Sequence, residues 1–499
     1  MTLGETMNRK WVALGLVLVL GVVGAVRGPE WWAKAWEKWR GNKCQVLAGS
    51  VPADQPLPPI RISAAANPDL SGYKTAALRN ATDAVDRARR IPSDIGTLRS
   101  VVTAPSEKEQ GPDLDAVNLF GLVDGEPLLR FSRIYRGSRV APGVMTRIDT
   151  RAGRPSWARW YRDDELMATS TPTSLVTVQR APKALAPQVA SVGPDTGDMQ
   201  WCKSLGADYL DYYGGEGSDI AAGDGAVFAV HSERQANAEQ APTLMAMDPA
   251  TGKDRWKKRI AGFTAGGAVD VFGKSVLVTQ WAFDSRGSKA SGRLKADPVR
   301  AFSTADGADE WEYRGPDATG WANKVIGVRD GIVLVHSRQT SSARSVEPGA
   351  EGQYTRNWLV GLGPDGKERW RQDLSNRVQA HLYDGVMVAG STVLTFETQD
   401  SVQGLPQTVV ARDVASGKTR WTKHLPADQD LDRNPSALAV VGNNLLVRQG
   451  LQKLVAVGLA TGAIRTLMTQ VDLVTGFAIA AAGKSLVIEV GGVFLTFDR

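Results

Sequence analysis

The chain has 499 residues, 42% of them hydrophobic and 22% charged, the balance of a folded globular protein rather than a disordered one. Its formal charge is +6, but residues 1–43 alone carry Arg9, Lys10, Arg27, Lys34, Lys38, Arg40 and Lys43 against Glu5, Glu30 and Glu37. The remainder is therefore nearly neutral, and no basic stripe marks a nucleic-acid partner. The two cysteines, Cys44 and Cys202, exclude a disulfide-dense scaffold and a CxxC metal site; they can pair with each other in an oxidising compartment or stand as two separate thiols.

Asn8-Arg9-Lys10 precedes an unbroken apolar run from Trp11 to Val26. As a helix the run spans roughly 24 Å, between a signal-peptide core and a full crossing of a ~30 Å hydrocarbon layer. Val23 and Ala25 suit a cleavage site. The following residues 30–40, EWWAKAWEKWR, favour an uncleaved anchor: as a helix, Trp32, Trp36 and Trp39 share a face, and indole rings settle at a membrane–water interface. The predicted membrane contact is thus residues 11–40, with the bulk of the chain outside the cytoplasm. VPADQPLPPI at 51–60 reads as an extended spacer. Tyr73, Ala76, Ala77, Ala81, Val85, Ala88 and Ile91 then fall near helical spacing and predict a helix within 72–91.

From there a repeat takes over. Seven segments place a glycine in a tight turn, and six carry tryptophan four residues later. These are Gly153 with Trp157, Gly197 with Trp201, and Gly252 with Trp256. Gly307 with Trp311, Gly366 with Trp370, and Gly417 with Trp421 follow. The seventh keeps Gly462 but has Thr466 in the tryptophan position. Glycine supplies positive φ, and the Thr, Asp or Ser usually found before it hydrogen-bonds turn backbone. Six tryptophans at one offset indicate packing between units that cannot bury their faces alone. The glycines stand 44 to 59 residues apart, room for four strands per unit.

The pattern D-x-x-T-G-x-x-x-W after a short β run resembles the PQQ-like propeller repeat of quinoprotein dehydrogenases and of the propeller lipoprotein of the outer-membrane β-barrel assembly machinery. The resemblance implies an all-β fold: one large propeller of eight four-stranded blades, or seven if the segment before Gly153 is not a blade; the apolar run places an N-terminal transmembrane or signal helix before it. It also implies that the outer strand missing after Asp498 comes from the N-terminus, with 99–104 and 117–123 as candidates. The chain then divides into an anchor (1–27), a juxtamembrane helix and linker (28–95) and the propeller (96–499).

The resemblance carries no chemistry with it. Adjacent cysteines are absent, no position matches the dehydrogenases' Ca²⁺ ligands or base, and no cofactor is expected. Asp428, Asp430, Asp432 and Asn434 alternate as Ca²⁺ ligands do, but Arg433 replaces the turn glycine and Ala439 the bidentate Glu, so a solvated loop is the better reading. One internal strand per unit ends in a polar residue: Gln179, His231, Thr279, His336, Glu397, Arg448 and Glu489. These are expected to ring one mouth of the propeller, as a recognition surface or simply where strands reach solvent. The expected function is a non-catalytic, membrane-anchored binding or scaffold module for a partner protein or cell-envelope ligand. The alternatives are an atypical PQQ-dependent oxidoreductase and the sensor ectodomain of an envelope signalling system.

Overall fold

A computed structural model describes residues 47–50, 60–70, 75–103, 116–132, 142–162, 166–171, 174–179, 188–204, 220–231, 242–261, 267–280, 298–316, 321–340, 354–374, 385–398, 407–426, 429–432, 437–450, 452–469 and 477–499. The expected anchor and the Trp-rich segment 30–40 lie outside them. Among the described residues no helix is long and apolar enough to cross a membrane.

The strands form eight sheets, each with a four-stranded antiparallel meander at its core. In blade 3 these strands are Ile220–Gly223, Ala226–His231, Thr243–Met247 and Asp254–Arg259, and each pairs with the next. Among the described residues the first strands touch in six of the eight neighbouring pairs, blade 8 against blade 1 among them. The first strand is therefore the inner one and the fourth forms the rim. The chain is an eight-bladed β-propeller, and of the two blade counts left open by the sequence the larger is correct.

Local sequence explains the meander. First and second strands join through tight turns, and Asp124-Gly125, Asp224-Gly225 and Asp330-Gly331 have positive φ at both residues, the twist a two-residue hairpin needs. The second and third strands are almost continuously apolar because both of their faces are covered by neighbouring blades. Phe228, Leu244 and Ala246 of blade 3, for example, pack with Val269, Val276 and Phe302 of blade 4. Outer strands instead read DRWKKR or ERWRQD, exposed except at the tryptophan and the residue two beyond it, which are half-buried; charge on an edge strand discourages pairing with another chain.

The ring closes through the N-terminus. Thr97–Thr103 pairs with the last strand, Val493–Asp498, and becomes the fourth strand of blade 8. Of the two candidates for this role, 99–104 is the right one. The other belongs to Ala116–Val123, the inner strand of blade 1. Two short strands upstream add fifth members at the rim: Leu47–Ser50 beside blade 1 and Arg61–Ala64 beside blade 8. Between them and the closing strand lies the helix Thr75–Ala88. Its Ala81, Ala84, Val85 and Ala88 are buried with Leu467 and Met468 of blade 7 and Leu495 and Phe497 of blade 8.

Candidate functional site

The repeat motif itself is absorbed by packing. In six blades the third and fourth strands slip register just after the turn, as where Ala246 faces Trp256 but Met247 faces Asp254. The bulge re-aims the tryptophan. Each ring then lies on the glycine turn of the following blade, so closely that a Cβ on Gly252 would stand 2.5 Å from Trp201. Five indoles also donate to a carbonyl three residues before that glycine: Trp157 to Pro194, Trp201 to Pro249, Trp256 to Thr304, Trp370 to Val414 and Trp421 to Leu459, at 2.7 to 2.9 Å.

Trp311 is the exception. In the other turns the glycine N–H bonds a carbonyl four residues back, as Gly252 does to Asp248, whereas in blade 5 Gly366 bonds Gly363. The shorter turn removes the acceptor, and the buried Trp311 Nε1 has no hydrogen-bond partner. Two further seams lack a tryptophan and are built differently. Behind Thr466 the helix Thr75–Ala88 fills the gap, and Arg465 pairs with Asp94 just beyond the helix at 2.7 Å. Between blades 8 and 1, Arg99 bonds Asp498 at 2.8 Å, Glu126 at 3.3 Å and the Thr150 hydroxyl at 2.5 Å.

The expected polar ring is not formed as one ring. All seven residues lie near the ends of second strands, but Gln179, His231 and Glu397 fall five residues after the strand start and Thr279, His336, Arg448 and Glu489 four. With a side-chain period of two, a one-residue offset reverses the face. The side chains of Gln179 and His231 are outside the described set. Among the rest, Thr279 shares a face with Leu277, which packs on blade 5. His336 shares one with Leu334, packed on blade 6. Arg448 sits over the Phe477 ring of blade 8. Glu489 accepts the Leu119 N–H of blade 1 at 2.8 Å. Glu397, on the face of Val393, looks back toward blade 5.

These groups are inside seams, not at an open mouth: Thr279, His336 and Glu489 are 4%, 0% and 2% exposed. Strands buried on both faces end in covered positions, and length alone did not reveal where cover stops. The seams on both sides of blade 5 are unusually polar. His336 Nε2 meets Asn357 Oδ1, and Ser337 donates to Asn323 at 2.6 Å. On the blade 6 side of the next seam Arg412 bonds Thr395 at 2.5 Å and Glu397 at 3.4 Å, both of its own blade. Burial raises the Asp270 carboxyl to about 6 despite Lys324 nearby, and it raises Glu489 to about 8 against the Leu119 N–H. No periodic signal marks Asn323, Asn357, Asp270, Lys324 or Arg412, and the sequence reading missed them.

Of the acidic loop, Asp428 and Asn434 lie outside the described residues. Asp432 pairs with Arg448 at 2.5 Å, and the backbone from Asp430 to Asp432 bonds that of Arg448 to Gly450, so this segment braces blade 7. Among the described residues no group of three His, Cys, Asp or Glu side chains could hold a metal ion. Cys202 lies in the outer strand of blade 2, Met199–Ser204, and is disulfide-bonded; Cys44 lies outside the described residues.

Eight blades, with six of their seams locked by tryptophan on glycine, define a PQQ-like repeat propeller. The family model described as outer membrane protein assembly factor BamB matches residues 186–351 and 295–470, more than half of the chain, and the chain belongs to that family. No curated protein matches it. Among solved structures, BamB from Moraxella catarrhalis is similar at 12% identity and a TM-score of 0.45, covering 77% of this chain and 99% of that one. Quinohemoprotein alcohol dehydrogenase from Comamonas testosteroni is similar at 14% identity and 0.43, covering 77% and 75%. The computationally designed Ika8 protein gives 12% and 0.45, covering 78% and 96%. These likenesses concern the fold, which serves an assembly factor and a dehydrogenase alike, and they assign neither role here.

Proposed function

We propose that the chain is a non-catalytic binding or scaffold propeller, held at a membrane by residues 11–40 with its bulk outside the cytoplasm, and that it engages a partner protein or cell-envelope ligand. One observation carries the reading: the chemistry that recurs from blade to blade is consumed in blade-to-blade packing, while the long connections gather on one face. In an antiparallel meander the first-to-second and third-to-fourth turns share one face, and every second-to-third connection and every crossover to the next blade leaves from the other. The connections at 231–243, 281–298 and 338–357 belong to that second face; their interiors lie outside the described residues. Loops carried on a rigid scaffold are the usual place for recognition. Membership of the assembly-factor family supports a protein partner. The apolar run Trp11–Val26 and the disulfide-bonded Cys202 support an oxidising, extracytoplasmic setting.

Photo-crosslinkers placed at Arg259 and Gln452, exposed on the loop-bearing face, and at Lys253 and Lys418, exposed on the turn face, test this in cells of the source organism. Defined adducts from the first pair and none from the second are expected; adducts from the turn face alone overturn the choice of face. The purified full chain is then titrated with PQQ and Ca²⁺. A saturable spectral shift would replace the scaffold reading with a quinone-dependent oxidoreductase.

A further inference from the structure

The fifth strand of blade 1 fixes where the N-terminal segment leaves the propeller. Leu47 pairs with Tyr161 and Ser50 with Arg159, so the strand runs antiparallel to the rim strand Arg154–Arg162. Its N-terminal end stands at the end of that strand, on the loop-bearing face. Leu47 lies seven positions after Arg40, the end of the Trp-rich segment, and that stretch fully extended reaches about 25 Å. The tether therefore leaves at one corner of the ring and is short. The one other cysteine besides Cys202 is Cys44, three residues before Leu47, and Cys202 lies on the adjoining rim strand of blade 2 in disulfide linkage.

The rim at this corner has a distinctive composition. The outer strand of blade 1 reads RPSWARWYR, with three arginines, two tryptophans, a tyrosine and no acid. Trp157 is buried in the seam with blade 2 and Arg159 pairs with Asp198 there, so the strand's bearing on lipid is its net positive charge, which suits anionic headgroups. The outer strand of blade 4 reads DEWEY, three acids and no base, which an anionic lipid surface repels. Charge therefore disfavours blade 4 but does not separate blade 1 from blade 3, whose outer strand DRWKKR has the same net charge; the tether makes that choice.

We propose that the rim of blades 1 and 2, at its loop-bearing corner, rests against the lipid headgroups of the membrane that holds the chain's own N-terminus. The propeller then stands tilted on edge, and blades 4 to 6 project away from the bilayer, free for a partner. This rests on the membrane-held reading above and adds the orientation to it.

The full chain, reconstituted into vesicles of phosphatidylethanolamine and phosphatidylglycerol with an acceptor-labelled headgroup lipid, tests it. A fluorescent amino acid is encoded at Arg162 in blade 1 or at His424 in blade 6, leaving both cysteines untouched. Vesicle flotation is scored first. Co-flotation with several-fold higher energy transfer from position 162 than from 424 is expected, and a long flexible Gly/Ser insertion after Arg40 should bring the two closer to equality. Equal or reversed transfer in floating, uninserted protein overturns the orientation while leaving the anchor. Failure to float removes the anchor reading, and the orientation with it.

Discussion

At the scale of single residues, the same motif position does different work in different blades. Gly153 and Gly252 have φ of 68° and 67°, yet nothing lies within 4 Å of a Cβ on Gly153, whereas one on Gly252 would meet the Trp201 ring at 2.5 Å. Gly153→Ala should therefore cost only the left-handed backbone penalty, about 1–2 kcal/mol. Gly252→Ala should cost about 2 kcal/mol more, because the ring must move in a packed seam; urea unfolding midpoints of the two variants test the difference. The tryptophans divide in the same way. Trp256→Phe loses the bond to Thr304 and leaves its carbonyl unpaired, about 1–2 kcal/mol beyond the loss of ring area. Trp311→Phe loses no hydrogen bond and should be the milder of the two by that margin in the same assay. Glu489 adds a pH dependence. Burial holds its carboxyl at about 8, so between its ordinary value near 4.5 and 8 the folded state binds the proton more tightly than the unfolded one. Stability must fall as pH rises through that window. Glu489→Gln keeps an acceptor for the Leu119 N–H and cannot ionise. It should match wild type at pH 5 and exceed it progressively up to pH 9 in thermal melts.

At the scale of elements, what the sequence made legible was what recurred. Six tryptophans at one offset from a glycine could be read because each solves the same packing problem. The solutions that occur once could not. Nothing about Arg99 distinguishes it from other arginines until the closing strand sets it beside Glu126 and Thr150. The helix Thr75–Ala88 was visible by its spacing, but its purpose, covering the seam where Thr466 stands for tryptophan, needed the ring. The polar strand ends were misread for a related reason: counting from the turn to within one residue locates a strand, while its facing requires the exact register. The helix gives a direct test. Ala84 is fully buried, and Ala84→Asp would bury an unpaired charge there, costing on the order of 3 kcal/mol or more. Selective proteolysis of the released segment in native buffer should report the undocking. Thr82, whose hydroxyl bonds the exposed backbone at Leu78, can be changed to alanine as a control and should leave the segment protected.

At the scale of the whole molecule, closure makes every blade depend on the N-terminal strand. A chain lacking residues 1–95 keeps Thr97–Thr103 and should fold into a ring weakened at the blade 7–8 seam. A chain lacking residues 1–104 leaves Val493–Asp498 with an open apolar edge and should appear as aggregate or domain-exchanged oligomer by size-exclusion chromatography with light scattering. A monomer from the second truncation as stable as the first would mean that closure contributes little.

That closing strand also sets a timetable for biogenesis. Arg99 and Asp498, partners in the finished ring, are 399 residues apart. At about 5–20 residues per second of synthesis, this early strand waits roughly 20–80 s for a partner that is last to emerge. Through that interval Val101 and Val102, both fully buried at the end, lack their ladder partners Leu495 and Phe494, although blade 1 already offers Val102 the side chains of Leu129, Val144 and Ile148. The protein thus spends its youth with its clasp undone, and a holdase guarding that segment would act early in the life of the polypeptide, before the two seams of blade 8 exist to protect it.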